Sequence, residues 1–292
     1  MRIAVTGSQG QVVTSLIERA ERNGVEIIAL GRPQLDLSNP ASIRNSLFDL
    51  LPDLVVSAAA YTAVDRAEND EAAAFCVNAS GPEFLAKATV ELGIPIIHIS
   101  TDYVFSGEKL APYSETDQPD PISVYGRSKL AGENAIAKYN SDHAILRTSW
   151  VYSPFGNNFL RTMLRLSETN DTVRIVSDQK GTPTSALDIA DAVISVAKQL
   201  HSKADPNLRG VFHMTGQGEA TWADFGERIF DHLNQRTGKA VAVSRITTAQ
   251  YPTPAQRPKN SRLSCRKLAD AYHLTLPPWE KSTSEILERL LT

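Results

Sequence analysis

The chain has 292 residues, a formal net charge of −3, 42% hydrophobic residues, two cysteines and six histidines. That length buries a large core in one large domain or two unequal ones, and the mild, scattered charge argues against a nucleic-acid partner. No apolar run approaches the ~20 residues of a membrane span. The first strand begins at residue 2, leaving no room for a signal peptide. Cys76 and Cys265 lie far apart, and the histidines lack metal-ligand spacing. The expectation is a cytoplasmic protein without a membrane partner, monomeric or homodimeric.

Ile3-Ala-Val-Thr6 reads as a strand, Gly7-Ser-Gln-Gly10 as a glycine turn, and Gln11 to Arg22 as a helix with apolar residues at Val12, Val13, Leu16, Ile17 and Ala20. Strand, glycine turn and helix start make a dinucleotide-phosphate site, because glycines let a pyrophosphate approach the first backbone N–H groups. Gly7, Gly10, Gln11 and Val12 are its candidate residues. Val13 stands where a third glycine would allow helix and strand to pack closely. Either the helix sits further out, or a neighbouring side chain is small.

The alternation continues. Val25 to Leu30 reads as a strand, Pro40 to Leu51 as a helix, and Asp53 to Ala58 as a strand. One long or broken helix spans Asp65 to Leu92, and Ile94 to Ser100 is a strand. A helix covers Ser123 to Tyr139, followed by a strand from Ala144 to Trp150. Near-continuous apolar strands alternating with helices predict an α/β fold, a doubly wound, Rossmann-like parallel sheet. Several strands end in small or polar residues, which suits a ligand cleft outside their carboxyl ends.

Beyond residue 150 the pattern loosens. Helices are expected over Asn157 to Leu166, Ser185 to Leu200, Thr221 to Leu233 and Ser282 to Leu291. A strand is expected from Gly210 to Met214, and an irregular proline-rich segment from Tyr251 to Pro258. The predicted organisation is a nucleotide-binding domain over 1–150, rejoined by about 177–205, and a smaller, interleaved substrate region over 151–292.

The chemistry concentrates in Tyr125-Gly-Arg-Ser-Lys129, with Thr101 upstream in Ser100-Thr-Asp-Tyr-Val-Phe105. Residues four apart share a helix face. An ammonium beside a phenol is expected to lower the Tyr125 pKa from its usual value near ~10. Such a phenol exchanges a proton with a carbonyl or alcohol oxygen, and the Thr101 hydroxyl adds a hydrogen bond to the same oxygen. The alternative for Lys129 is a solvated helix lysine. Arg32 follows the second strand, where an arginine accommodates the extra phosphate of NADP. NADPH is therefore favoured, with NADH tolerated. Ala58, Ala59, Ala60 and Tyr61 line the same cofactor or simply allow tight sheet packing.

These motifs resemble the extended short-chain dehydrogenase/reductase superfamily and, within it, the dTDP-4-dehydrorhamnose reductase family. The resemblance rests on Thr6-Gly-Ser-Gln-Gly-Gln-Val12, Val56-Ser-Ala-Ala-Ala-Tyr-Thr-Ala-Val-Asp65, and the segments of Thr101 and of Tyr125 and Lys129. Arg147-Thr-Ser-Trp-Val-Tyr152, Asp178-Gln-Lys-Gly-Thr-Pro-Thr184 and Tyr251-Pro-Thr-Pro-Ala-Gln-Arg-Pro-Lys-Asn-Ser-Arg-Leu263 complete it.

The resemblance implies a nicotinamide cofactor, a sugar-nucleotide substrate and hydride delivery to a ketone. Thr101, Tyr125 and Lys129 would be catalytic, with Lys129 also bonding the nicotinamide ribose. Asp36 and Leu37 would flank the adenine. Asp102 would orient the sugar or bond its own turn, and Trp150 would pack on the sugar or in the core. Asn158 is a further substrate candidate, and at least one of Arg257 and Arg262 would bind the diphosphate. Related dehydratases carry an acidic pair where this chain has Asp102-Tyr103, so reduction fits better than elimination.

At the family's magnesium position the chain has Ser15 and Leu187, with only Asp188 and Asp191 nearby, so no metal is expected. Two competing readings are reduction of another 4-keto-6-deoxy sugar nucleotide and a non-catalytic nucleotide-sensing subunit. The intact Thr101, Tyr125 and Lys129 set argues against the latter.

Overall fold

Near-continuous apolar segments pair with one another because each buries both of its faces. In the computed structural model, which describes residues 1–292, six strands form the central sheet. They are β1 (Arg2–Thr6), β2 (Glu26–Leu30), β3 (Leu54–Ser57), β4 (Ile96–Thr101), β5 (His143–Thr148) and β6 (Gly210–His213), in the order β6-β5-β4-β3-β1-β2. Every pairing is parallel. All residues of β3 and β5 are buried, as a sheet covered on both faces requires.

Helices α1 (Gln11–Ala20), α2 (Pro40–Leu50), α3 (Gly81–Leu92), α4 (Val124–Tyr139), α5 (Phe159–Ser167), α6 (Ala186–Ser202), α7 (Trp222–Thr237) and α8 (Trp279–Leu291) complete the main elements. One core joins Val5, Leu146 and Phe212 of the sheet to Leu16 of α1 and Ile189 and Val193 of α6. A second, on the opposite face, joins Val55 and Ile145 to Ile43, Leu47, Leu85 and Ile136 from α2, α3 and α4. A third lies outside the sheet, where Leu160, Phe225, Ile229 and Leu287 of α5, α7 and α8 meet Val173 and Ile175.

Val13 packs at the position of the absent glycine without displacing the turn. A Cβ on Gly7 would meet the Ala59 Cβ at 3.4 Å and the Val13 side chain at 3.5 Å, so the smallness is supplied by Gly7 and Ala59. Gly7 also has φ +97°, a conformation that favours glycine.

The segment from Asp65 to Leu92, expected as one long or broken helix, is broken into Val64–Ala67, Glu71–Phe75, a π-helical stretch Cys76–Ser80 and α3. Asn78 lies in that stretch, and its side chain pairs with both backbone groups of Tyr61, a local reason for the widened turn. A parallel pair of strands, Thr172–Val176 with Ala242–Ile246, and a helix at Arg266–Tyr272 were not predicted. The terminal helix begins at Trp279 rather than Ser282. No helix is long and apolar enough to cross a membrane.

Candidate active site

The carboxyl ends of β1, β3, β4 and β5 converge on one edge of the sheet. Strand order reverses at β1, so the crevice between β1 and β3 is the switch point where such sheets bind ligands. Thr6 ties that crevice together, because its Oγ1 accepts from the N–H groups of Ala58 and Ala59, both at 3.0 Å. Helix α1 starts here at Gly10, with no side chain capping its first N–H groups. A Cβ on Gly10 would meet nothing within 4 Å. Free helix N–H groups facing open space fit a diphosphate.

Gln11 Oε1 accepts from Ser153 Oγ at 2.8 Å and from Asn158 Nδ2 at 3.0 Å. Val12 beside it is partly buried. At the adenine end Arg32 is exposed where the chain leaves β2. The Asp36 carboxylate closes its own turn, accepting from the N–H and hydroxyl of Ser38, and Leu37 is a core residue. Ala58, Ala59, Ala60 and Tyr61 are partly open at the sheet edge.

Helix α4 is pressed through Gly126 against the turn that follows β4, where a Cβ would lie 2.2 Å from the Tyr103 carbonyl oxygen. Its N-cap is Ser123, whose hydroxyl accepts from the Gly126 N–H at 3.1 Å. Tyr125 and Lys129 therefore face the sheet, as their spacing predicts. Ser128 Oγ donates to the Tyr125 carbonyl at 2.8 Å and accepts from the Asn78 amide at 3.0 Å, locking this turn onto the Tyr61 loop.

The electrostatics differ from expectation. Burial pushes the Tyr125 phenol up to about 12, with the Thr101 hydroxyl pulling against it. Part of the residue remains open to the cleft, and water there tempers the rise without changing its sign. Lys129 does not bond the phenol. Its Nζ donates to the Ile99 carbonyl at 2.7 Å and lies 3.2 Å from His98 Nε2. Desolvation of the phenolate thus sets the direction of the shift, and the Asp102 charge adds to it. Burial also lowers the Lys129 ammonium to about 8, with Glu133 opposing. At neutral pH Tyr125 holds its proton, which is the state a proton donor needs.

Thr101 Oγ1 donates to Asp102 Oδ1 at 2.9 Å and accepts from the Tyr103 N–H at 3.2 Å. Tyr103 meets the Tyr125 ring edge-on, with centroids 5.6 Å apart. Burial raises the Asp102 carboxyl to about 6, partly offset by the Ser261 and Thr101 hydroxyls. A carboxyl raised on folding contributes stability below its unfolded pKa and loses it as pH rises through the folded value. Asp102→Asn, with no charge to bury, should therefore raise Tm by several degrees at about pH 8 and change little at about pH 4, on the order of 3 kcal/mol. Thermal melts at both pH values check this, and an equal change at both would contradict it.

The proposed substrate residues are dispersed around this centre. Trp150, at φ +47°, stacks on Trp222 with centroids 3.6 Å apart and planes 8° from parallel. Its ring rests on Gly181, where a Cβ would come within 2.4 Å of the indole. Arg257 makes a two-pronged pair with Asp65 at 3.0 and 2.8 Å, and its charge reaches Tyr103.

Arg262, expected at a diphosphate, is engaged elsewhere. It pairs with Glu219 at 2.6 Å, bonds Asn260 Oδ1 at 2.9 Å and donates to the Leu110 carbonyl, pinning its segment to a neighbouring loop. Asn158, expected at substrate, caps α5 by accepting from the Arg161 N–H, and its amide nitrogen bonds Gln11, Ser153 and Phe155.

Sequence reasoning missed Asn78, His98 and the buried pair Glu133 and Arg147. For His98 the signal is a polar residue inside an apolar run, Ile96-Ile-His-Ile99, whereas Glu133, in Gly132-Glu-Asn134, carries none. The partners that satisfy them come from other elements.

A doubly wound nucleotide fold with Thr101, Tyr125 and Lys129 at its carboxyl edge defines a short-chain dehydrogenase/reductase of the extended type. Comparison with known proteins narrows the class. The family described as the RmlD substrate binding domain matches residues 1–292. A dTDP-4-dehydrorhamnose reductase of Sinorhizobium fredii is 51% identical over 291 residues, covering 100% of this chain and 98% of that protein.

Solved structures agree. A dTDP-4-dehydrorhamnose reductase of Clostridium acetobutylicum superposes with a TM-score of 0.92 at 37% identity, over 100% of both chains. One of Bacillus anthracis, in complex with NADP, gives 0.91 at 32% identity, over 99% of both. The chain belongs to the dTDP-4-dehydrorhamnose reductase family.

Proposed function

We propose that this protein reduces the 4-keto group of dTDP-4-dehydro-L-rhamnose with NADPH, forming dTDP-L-rhamnose for polysaccharide biosynthesis. The observation that carries this reading is the placement of Tyr125 beside Thr101 and edge-on to Tyr103, one helical turn from Lys129, at the edge where the uncapped start of α1 opens. The Bacillus anthracis relative with NADP bound supports the cofactor.

NADPH supplies the hydride that reaches C4. As charge develops on O4, Tyr125 transfers its phenolic proton to that oxygen and Thr101 donates a hydrogen bond, turning from Asp102. The phenol then regains a proton from solvent. Lys129 places positive charge beside the transient phenolate and offers an N–H to the nicotinamide ribose.

Gly7, Gly10, Gln11 and Val12 hold the diphosphate of NADPH, Asp36 and Leu37 flank its adenine, and Ala58 to Tyr61 admit it closely. Trp150 and Asp102 face the sugar nucleotide, while Asn158 supports this side of the cleft by holding Gln11 and the start of α5. Of the two arginines, Arg257 is the diphosphate ligand, because its charge already reaches Tyr103. Residues 1–150, rejoined by about 177–205, form the nucleotide-binding domain, and 151–292 mainly the substrate region. The packing of α6 on the main sheet supports this division. The free thiols of Cys76 and Cys265 suit the cytoplasm.

Loss of NADPH absorbance on adding dTDP-4-dehydro-L-rhamnose to purified protein tests the activity. A flat trace at high enzyme concentration decides against it, and a panel of other 4-keto-6-deoxy sugar nucleotides identifies a different substrate. For the cofactor, Arg32→Ala should weaken NADPH and leave NADH nearly unchanged. A charge-assisted bond contributes about 1.5–3 kcal/mol, a roughly ten- to hundredfold change in preference. Equal losses in titrations with both cofactors would show that Arg32 does not read the 2′-phosphate.

A further inference from the structure

His98 lies in the middle of β4 with none of its surface exposed, in a run otherwise made of isoleucines. A buried imidazole needs partners for both nitrogens, and both are present. Nδ1 lies 3.0 Å from Ser57 Oγ at the end of β3, and Nε2 lies 3.2 Å from Lys129 Nζ on α4.

The ammonium decides the tautomer. It has only protons to offer, so Nε2 must present its lone pair and the ring proton must sit on Nδ1, donating to Ser57. The opposite tautomer would set an N–H against an N–H. Burial and the Lys129 charge keep the imidazole neutral, with its own value pushed well below the ordinary one. His98 therefore does not become a competing cation.

Two side-chain contacts tie β4 to α4, His98 with Lys129 and Ser100 with Glu133, the latter at 2.5 Å. His98 and Ser100, two residues apart on β4, face the same side of the sheet. The next residue of β4 is Thr101, partner of Tyr125. One strand therefore sets both polar groups of the reaction. With Ile99 O and His98 Nε2 accepting two of the three ammonium protons, one N–H remains for the ligand side.

We propose that His98 is a positioning residue for the reduction: held as the Nδ1–H tautomer by Ser57, it accepts from Lys129, keeps that ammonium charged inside the protein and aims its remaining N–H at the cleft. This deepens the proposed reductase activity and rests on it. The titratable and charged groups around the pair are Tyr125 and Glu133 on α4, His143 and Arg147 on β5, and Lys129 itself. Among these Glu133 favours the charged lysine, while the nearby His143 disfavours a charged His98.

Removing the acceptor destabilises the ammonium, so His98→Phe should lower the Lys129 pKa by about one pH unit. The alkaline limb of kcat/KM moves down with it, a roughly tenfold loss on the alkaline side. His98→Gln places an amide oxygen where Nε2 was and should restore most of the wild-type profile. A residue that only filled space would lower Tm without moving the limb, and Gln would not rescue it.

Two readouts need neither substrate nor cofactor. Carbon-13 titration of the lysine ε-carbons follows Lys129 directly. Nitrogen-15 shifts of the wild-type imidazole report the tautomer, so the test survives even if the Phe variant fails to fold. A proton found on Nε2, an unmoved Lys129 titration in folded His98→Phe, or a Gln variant as shifted as Phe each overturns the proposal. An inactive wild type with the expected tautomer and titration would instead overturn the reductase reading alone.

Discussion

Tyr125→Phe should reduce turnover by about 10²–10⁴-fold, the usual contribution of a positioned acid or base. The ring, its edge-on contact with Tyr103 and the helix that carries it remain, so NADPH titration and Tm should stay near wild type. The loss is confined to the proton that must reach O4 as hydride arrives. Because burial keeps the phenol protonated to about 12, wild-type activity should run undiminished by Tyr125 ionisation through neutral pH. The alkaline fall then belongs to Lys129, as its ammonium is lost near about 8. Near-normal turnover in the Phe variant, with 4-keto sugar nucleotide and NADPH both saturating, would remove Tyr125 from the mechanism.

The largest stability effect should come from a group that touches no reacting atom. Arg147 on β5 and Glu133 on α4 form a two-pronged ion pair, with contacts of 2.6 and 2.9 Å and side chains only 4% and 3% exposed. The guanidinium also lies over the Phe105 ring at 5.1 Å. Arg147→Met strands a carboxylate inside the protein and should cost about 3–5 kcal/mol. The double change Arg147→Met with Glu133→Leu removes both charges together and should recover most of that loss, since desolvation nearly cancels the attraction within such a pair. Denaturant unfolding of the two variants checks both statements. A single variant as stable as wild type would mean that water reaches the pair. Glu133 also accepts from Ser100, so the single variant should disturb the neighbouring Thr101 and lower kcat in the fraction that remains folded.

The amino-acid sequence by itself determined the elements whose causes are local. The apolar strands, the glycine turn at Gly7 to Gly10 and the helix-face pairing of Tyr125 with Lys129 need only residue type and spacing within a few positions. They were enough for the doubly wound fold and for the candidate set of Thr101, Tyr125 and Lys129. Tertiary structure decided what depends on partners distant in the chain. The strand Thr172–Val176 exists because Ala242–Ile246, some seventy positions later, pairs with it. Of the two possibilities for Asp65 to Leu92, a long or a broken helix, the fold selects the broken one, with Asn78 satisfying the backbone of Tyr61.

The same holds for charge. Helical spacing alone predicts a depressed phenol at Tyr125, yet burial raises it, because removing water from a phenolate is costly and the lysine is turned toward His98 and Ile99. Arg262 and Arg257 read alike in one proline-rich segment. Only the fold gives one to Glu219 and Leu110 and brings the other, paired with Asp65, to the neighbourhood of Tyr103. Spacing reports which side chains share an element. Solvation and long-range partners, which set protonation and free hydrogen-bonding capacity, exist only once the elements have packed.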